Sequence, residues 1–321
     1  MSAPRIAPLR SRLGPILGLL GLACASVDLG PTGRAQPRSL LLADVPFIAQ
    51  SAKQCGPAAL AMVLQHAGLA LTERDLAPSV FTPDRRGSFA QDVVGAARRA
   101  GHVPYPIAGF GSLLDEVRAG HPVVVLQNLG LAWLPTWHFA VVIGFDLERG
   151  RVTLHSGSRA ARSIPIFLFA RTWDRADRWA RVILPPEELP ASLPERDVLE
   201  AVAPLESIDQ GAAARVAYGA AATRWPRSSA ARLGLGNASY AQGDLEAAEA
   251  ALRQALQLDP GLAPAANNLA HLLGETGRSS EGRALLEAHL ETAGPWRPTL
   301  ERTLRALVGR EDSGMPADQA E

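Results

Sequence analysis

A proline-rich segment at residues 185–194, with the sequence PPEELPASLP, divides the chain into two parts of different character. Proline lacks a main-chain N–H and has a fixed φ, so a cluster of prolines ends any helix or strand that reaches it. Before the segment, helical patterns are followed by apolar runs of strand length, whereas alanine, leucine and arginine dominate after it. The sequence therefore predicts a folded domain of residues 43–185, a linker of residues 186–194 and an all-helical part beyond.

Helices come first in the predicted domain of residues 43–185, and strands follow. Helices are predicted from Pro57 to Leu64, after a Thr72-x-x-Asp75 capping box, after Ser88 as N-cap residue, and from Ser112 to Ala119. Strands are expected at residues 122–127, 138–145, 151–156, 162–167 and 179–184. A short helix is expected at residues 169–175. This order predicts an α+β fold, with the helices packed on an antiparallel sheet.

Cys55 lies where a loop enters an apolar helix, within the stretch QSAKQCGPAALAMVL of residues 50–64. Free N–H groups and the positive end of the helix dipole favour a thiolate there, and such cysteines reach pKa values of roughly 3.5 to 7.5. The alternative is a small, buried, apolar cysteine without chemical function. His138 opens a strand further along the chain and supplies the base that a cysteine nucleophile needs. The pair favours the nucleophile.

Two stretches carry a resemblance to a known family: Gln50-x-x-x-x-Cys55-Gly-Pro-Ala-Ala-Leu and His138-Phe-Ala-Val-Val-Ile-Gly-Phe. Together they resemble the papain-like cysteine peptidases that remove double-glycine leaders from bacteriocins, and most closely their stand-alone relatives with tetratricopeptide repeats. The resemblance covers residues 43–185. It implies a papain-like domain that hydrolyses peptide bonds, with Cys55 as nucleophile, His138 as general base and Gln50 as the oxyanion-hole side chain. Gln54 is the alternative oxyanion donor, because Gln50 stands only five residues before the cysteine.

The side chain that orients His138 is predicted from strand register. A four-residue loop joins two strands, so Asp146 is expected to pair with Arg151. Asp146 then lies roughly 26 Å along the strand from His138, too far to touch it. The same register places Arg159 opposite His138, and the orienting group should come from residues 155–159.

The resemblance implies an aspartate at this place, but residues 155–158 are His-Ser-Gly-Ser. Ser156 is the candidate to accept the imidazole N–H, and Asn128 on the neighbouring strand is the alternative. A neutral group stabilises imidazolium less than a carboxylate does. The sequence is therefore also compatible with a catalytically inactive papain-like domain that serves as part of an interaction scaffold.

Residues 1–25 have the features of an export signal: early arginines and then a Leu- and Gly-rich run at 13–22. Leu22-Ala23-Cys24 resembles a bacterial lipobox, which would make Cys24 a lipid-modified N-terminus; Ala23-Cys24-Ala25 also offers a site for ordinary signal peptidase. Residues 26–42 are expected to be a tether. The sequence thus predicts an exported protein, periplasmic or lipid-anchored to the cell envelope, in which Cys55 is the one cysteine of the folded domain.

The part beyond the linker contains a repeat. Pro226, Pro260 and Pro295 recur at the period of the tetratricopeptide repeat, and the stretch around Tyr240 resembles its motif. Three repeats are predicted, at residues 195–228, 229–262 and 263–296. A closing helix is predicted at 297–309 and a disordered tail at 310–321. Stacked helix pairs form a concave groove, so a protein or peptide partner is expected there.

Composition excludes some functions. Lys plus Arg and Asp plus Glu number 32 each, and no basic run with interleaved aromatic residues is present, so nucleic-acid binding is not expected. The sequence has no CxxC or HExxH pattern, so neither a metal nor another cofactor is expected. Trp133 and Trp137, just before His138, are interpreted as core or rim packing, with a wall of the substrate cleft as the alternative.

Overall fold

The structure is a computed structural model that describes residues 37–50, 54–82 and 87–313. The predicted signal peptide and Cys24 lie outside these residues. Part of the predicted tether, from residue 37 to residue 42, is described. In it Ser39–Leu41 form strand β1, which pairs with the last residues of the strand that contains His138. The folded domain therefore begins before residue 43.

A seven-stranded sheet and five helices form the first part of the described chain. After β1 the elements are α1 (Cys55–His66), α2 (Glu73–Val80), α3 (Ala90–Arg99), β2 (Val103–Pro106), α4 (Phe110–Arg118), β3 (Val123–Asn128), β4 (Trp137–Asp146), β5 (Arg151–Ser156), β6 (Arg159–Pro165), α5 (Ile166–Asp174) and β7 (Ala180–Leu184). The strand order is β2-β7-β3-β4-β5-β6, with β1 added to β4, and every pairing is antiparallel. The α+β prediction is confirmed.

Most predicted boundaries agree with the structure to within a few residues, and the helix starts show why. Thr72 accepts a hydrogen bond from the Asp75 N–H, and Asp75 accepts one from the Thr72 N–H, so the predicted capping box is present. Ser88 was predicted to cap the next helix, and this is wrong: α3 begins at Ala90 with Phe89 in the capping position.

The sheet separates two apolar cores. On one face α1 and α3 pack against the sheet and α2 packs on these two helices; Leu60, Met62 and Phe139 are among the buried side chains. On the other face α4 and α5 contribute Leu113, Phe169 and others. Helix α1 is buried from Gly56 to Leu64, so its first residue, Cys55, is fixed against the sheet by the packing of everything behind it.

Seven helices follow the sheet: α6 (Glu195–Val202), α7 (Gly211–Arg224), α8 (Ser229–Ala241), α9 (Leu245–Leu258), α10 (Ala263–Glu275), α11 (Ser279–His289) and α12 (Arg297–Ser313). They pack mainly on their neighbours in sequence, as stacked repeats do. The first three pairs coincide with the predicted repeats. The closing helix is longer than predicted, because α12 continues to Ser313, into the segment expected to be disordered.

The core of the sheet domain continues into these helices. Val103 and Tyr105 of β2 belong to the same buried cluster as Val198 of α6 and Tyr218 of α7. The length of residues 43–185 predicts that they bury a core of their own. The structure instead joins the two parts through one apolar core.

The linker between the two parts is also fixed, by a buried carboxylate. Glu116 of α4 is 0% exposed, and its Oε1 accepts a hydrogen bond of 2.7 Å from the Ser192 N–H. Its Oε2 accepts from the Ala191 N–H at 3.2 Å and lies 2.8 Å from Nδ1 of His121. The proline-rich segment is therefore bound along the sheet domain.

Candidate active site

Cys55 is the first residue of α1, as the sequence predicts. The main-chain N–H groups of Phe139 and Gly56 hydrogen-bond to its sulfur, and the dipole of its own N–H acts in the same direction, so that all three favour the thiolate. Burial acts in the opposite direction and is the larger effect, so the pKa of the Cys55 thiol is raised above its ordinary value. The prediction of a lowered pKa is therefore wrong: the packing that positions the sulfur also removes water from around it.

The sulfur occupies a wedge where two strands separate. Strand β5 pairs with β4 only as far as the pair Val141–His155, so the next part of β4 toward its start has no β5 partner. Phe139 lies in this unpaired part and pairs with Leu126 of β3 on its other side. Its N–H bonds to the Cys55 sulfur, and its C=O accepts a hydrogen bond of 3.2 Å from Nε2 of Gln50. The site is thus built on the main chain of the residue that follows His138.

Gln50 bridges the two sides of this wedge. Besides the bond to the Phe139 C=O, its Oε1 accepts a hydrogen bond of 2.9 Å from the Gly157 N–H, and its own N–H donates to the Gly157 C=O at 3.0 Å. Gln54 is the N-cap residue of α1, and its side chain makes no capping bond. The oxyanion role of Gln50 stays a prediction, and Gln54 stays the alternative.

His138 has its ring fixed by Ser156. Nε2 of His138 lies 2.8 Å from Oγ of Ser156, and both side chains are largely shielded from solvent. The alternative, Asn128, is engaged elsewhere: its Oδ1 accepts from the N–H groups of Gly130 and Thr136. Among the candidates from the sequence, Ser156 is the one in contact with the imidazole.

The register behind this contact differs slightly from the predicted one. Asp146 pairs with Arg151, as expected, but a bulge between Val142 and Gly144 shifts the register, so that Val142 faces Leu154. Strand β5 ends at Ser156. The predicted pairing of His138 with Arg159 does not occur, because Arg159 is the first residue of β6 and pairs with Ser156 of β5. The shift brings the serine hydroxyl to the ring.

The electrostatics of His138 favour the neutral imidazole. Burial lowers the pKa of His138, and the positive charge of Arg162 on β6 lowers it further. Cys55 and His138 are therefore both shifted toward their uncharged forms. Arg162 was not a sequence candidate, because only the return of β6 beside β5 brings its charge near the ring.

A second histidine fixes the turn that carries Ser156. His155 is buried, with Nε2 lying 3.1 Å from the Val45 C=O and Nδ1 accepting from the Ala161 N–H at 3.0 Å. Because Nδ1 accepts, Nε2 carries the proton and donates to Val45. This ring ties the β5–β6 turn to the chain before α1, and so helps to position Ser156 and Gly157.

The tryptophans before His138 do not belong to the core. Trp133 and Trp137 are both exposed, so the interpretation as core packing is wrong. Within the described part of the chain, no group of three or more His, Cys, Asp or Glu residues is placed to hold a metal ion. No helix of the described residues is long and apolar enough to cross a membrane.

A cysteine at the start of a buried helix, and a serine-bonded histidine at the start of an antiparallel strand, define a domain of the papain-like class. Residues 42–178 match the model of the Peptidase_C39 like family, and residues 239–298 match that of the tetratricopeptide repeat. The chain therefore carries a Peptidase_C39-like domain followed by a tetratricopeptide-repeat region.

Similar solved structures include a C39-like peptidase from Bacillus anthracis, with 20% identity and a TM-score of 0.40; the match covers 46% of this chain and 97% of that one. They also include the peptidase domain of Streptococcus ComA, a bi-functional ABC transporter involved in a quorum-sensing pathway. That match has 22% identity and a TM-score of 0.36, and covers 44% of this chain and 98% of that one. No curated protein matches the chain.

Proposed function

We propose that the protein is an exported cysteine peptidase that hydrolyses peptide bonds of a protein or peptide substrate. The observation that carries the proposal is the wedge between β4 and β5. There the Cys55 sulfur accepts a hydrogen bond from the main-chain N–H of Phe139. The residue before Phe139, His138, is hydrogen-bonded through its imidazole to the Ser156 hydroxyl. A nucleophile, a base and a group that orients the base thus come from three separate elements.

In the proposed reaction the His138 Nε2–H donates to Ser156, which leaves the lone pair of Nδ1 free to accept a proton. Nδ1 takes the thiol proton as the Cys55 sulfur bonds to the substrate carbonyl carbon. The oxyanion accepts hydrogen bonds from the Cys55 N–H and from a glutamine side chain, Gln50 or Gln54. The C–N bond then breaks as His138 returns the proton to the leaving amine, and water hydrolyses the thioester with the same base.

The shifted pKa values specify the form of this mechanism. A raised thiol pKa and a lowered imidazole pKa mean that the resting pair is uncharged, so His138 acts as a general base during attack. It does not simply stabilise a thiolate that already exists. The proposal includes export through residues 1–25, a lipid anchor at Cys24, and binding of the substrate or a protein partner in the groove of the repeats.

The second candidate is a catalytically inactive papain-like domain on an interaction scaffold. Two observations favour it: the group that holds His138 is a neutral hydroxyl, and burial raises the pKa of Cys55. Such a domain would keep the wedge for its packing alone.

The deciding experiment measures turnover of a fluorogenic peptide library by the wild type and three variants. Cys55→Ala should abolish turnover, and His138→Ala should reduce it by about 10²–10⁴. Cys24→Ala is the matched control, because it removes the other cysteine and should leave turnover unchanged. Wild-type turnover no higher than that of Cys55→Ala would favour the scaffold.

Export and the lipid anchor have a separate test. Cys24→Ala should release the protein from the membrane fraction of the cells that produce it. If its fractionation is unchanged even after an alkaline carbonate wash, which strips peripherally bound proteins, the anchor is not at Cys24.

A further inference from the structure

The loop that joins β3 to β4 presents large apolar side chains to solvent. We call residues 129–137, which are this loop and the first residue of β4, the 129–137 loop. In it Leu131 is 55% exposed, Trp133 78% and Leu134 62%, and Leu129 and Trp137 are also exposed. None of its residues is charged. Single exposed apolar residues are ordinary, but a contiguous group of this size marks an interaction surface.

The 129–137 loop is held in one conformation by its own hydrogen bonds. Oδ1 of Asn128 accepts from the N–H groups of Gly130 and Thr136, and the Leu129 N–H donates to the Thr136 C=O. At the tip, Leu131 and Leu134 bond to each other through N–H and C=O in both directions. The loop therefore has little conformational freedom to lose on binding.

The base of the loop is braced as well. The guanidinium of Arg175 donates twice to the Asn128 C=O, at 2.7 and 3.2 Å. Gly130 packs so closely on the main chain of Leu134 and Thr136 that a Cβ there would lie 2.4 Å from the Leu134 C=O oxygen. A rigid main chain thus holds the apolar side chains outward.

We propose that the 129–137 loop docks the protein onto a lipid bilayer. An unpaired N–H is costly in the interface, and this loop already pairs the N–H groups of Leu129, Gly130, Leu131, Leu134 and Thr136, while the remaining carbonyls can be met by headgroup water. Tryptophan and leucine are suited to the boundary between headgroups and acyl chains, where apolar faces are buried by roughly 5–10 Å. The absence of charge in the loop removes the main cost of insertion.

A peptide substrate fits the tip less well. Leu134 precedes His138 by four residues, at most roughly 13 Å of extended chain, so the tip could meet a peptide only several residues away from its scissile bond. The start of the folded domain is compatible with a bilayer on this side. Ser39 pairs with Asp146 at the far end of β4, so the tether has to span residues 133–146, roughly 46 Å at 3.3 Å per residue, and residues 25–38 can reach at most about 50 Å.

The test measures binding of the purified chain from residue 25 onward to phosphatidylcholine vesicles, because this form lacks both the apolar run at 13–22 and Cys24. Trp133→Ser combined with Leu134→Ser should lower the partition coefficient about 100-fold, since each replacement removes a large apolar side chain from the interface. Brominated phosphatidylcholine should quench tryptophan fluorescence in the parent protein, and much less in the double variant.

Phe167→Ser is the matched control, because Phe167 is 73% exposed and lies at the opposite end of α5 from Arg175. It should leave both readouts unchanged. If neither partition nor quenching depends on the loop, or if the double variant loses turnover of a short soluble peptide at unchanged partition, docking on a bilayer is refuted. The second result would assign the loop to substrate binding. The vesicle measurement needs no catalysis, so an inactive protein leaves it valid.

Discussion

Replacing Glu116 tests whether the linker and the sheet domain are one folding unit. In Glu116→Ala the N–H groups of Ala191 and Ser192 lose their acceptor, although Ala191 is exposed and Ser192 half-buried. Water can solvate the freed groups in part, so the free energy of unfolding should fall by about 1–3 kcal/mol, less than for two fully buried unpaired N–H groups. Glu116→Gln keeps one acceptor oxygen and should lose about half of that.

The control is Glu188→Ala. The Glu188 side chain is 55% exposed, and its carboxylate lies 3.9 Å from Nε2 of His121, so its loss should cost less than about 1 kcal/mol. Urea unfolding, followed by both tryptophan fluorescence and near-ultraviolet circular dichroism, gives the free energies. If Glu116→Ala and Glu188→Ala differ by less than about 1 kcal/mol, the buried carboxylate does not anchor the linker.

The same carboxylate predicts a dependence of stability on pH. Burial raises the pKa of Glu116, but hydrogen bonds from His121 and from Ser192 and Ala191 outweigh it, so the net pKa is lowered. A group whose pKa is lower in the folded state stabilises the fold above its ordinary value of 4.5, and this stabilisation is lost as the pH falls through the folded pKa. The wild type should therefore lose stability below pH 4.5 more steeply than Glu116→Gln.

Three further predictions concern the site. Ser156→Ala should lower kcat for a peptide substrate by about tenfold, less than His138→Ala, because packing still constrains the ring; equal losses would give the hydroxyl a larger role. Either Gln50→Ala or Gln54→Ala should remove the oxyanion donor. That variant should lower kcat by roughly 10²–10³ without slowing alkylation of Cys55. If neither variant changes kcat, neither side chain is the oxyanion donor. In the wild type, the rate of alkylation by iodoacetamide should still rise at pH 9, because burial raises the pKa of Cys55 above its ordinary 9.0; a plateau below pH 8 would show a thiolate that already exists.

The elements with strong local signals were predictable from the sequence. Strand β5 was predicted with its exact ends, and the Thr72 capping box marked the start of α2. Strand β2 was missed, because its sequence Val-Pro-Tyr-Pro contains two prolines, which normally argue against a strand. The two prolines are tolerated because β2 lies at the edge of the described sheet, where it pairs with β7 on one side. Strand β1 has only three residues, too few for a pattern.

The residue that contacts His138 was predictable, because it follows from the register of a single strand pair, β4 with β5. Counting back from the Asp146–Arg151 pair led to residues 155–159, and Ser156 is in contact with His138. The exact pairing was wrong by the width of one bulge, and the signal that could have marked it is Gly144, a single glycine inside the strand pattern. The raised pKa of Cys55 and the charge of Arg162 beside His138 arise from packing between distant elements, so the sequence alone could not give them.

The wedge has a consequence for mutagenesis and for evolution. Phe139 contributes its N–H to Cys55 and its C=O to Gln50, and every amino acid except proline offers the same two groups at this position. A mutational scan of position 139 would therefore report only on how well the ring packs, and would overlook a contact made directly to the sulfur. Only Phe139→Pro removes the N–H, and that change also constrains the strand. This part of the site can thus persist in a descendant whose side chains have all been exchanged.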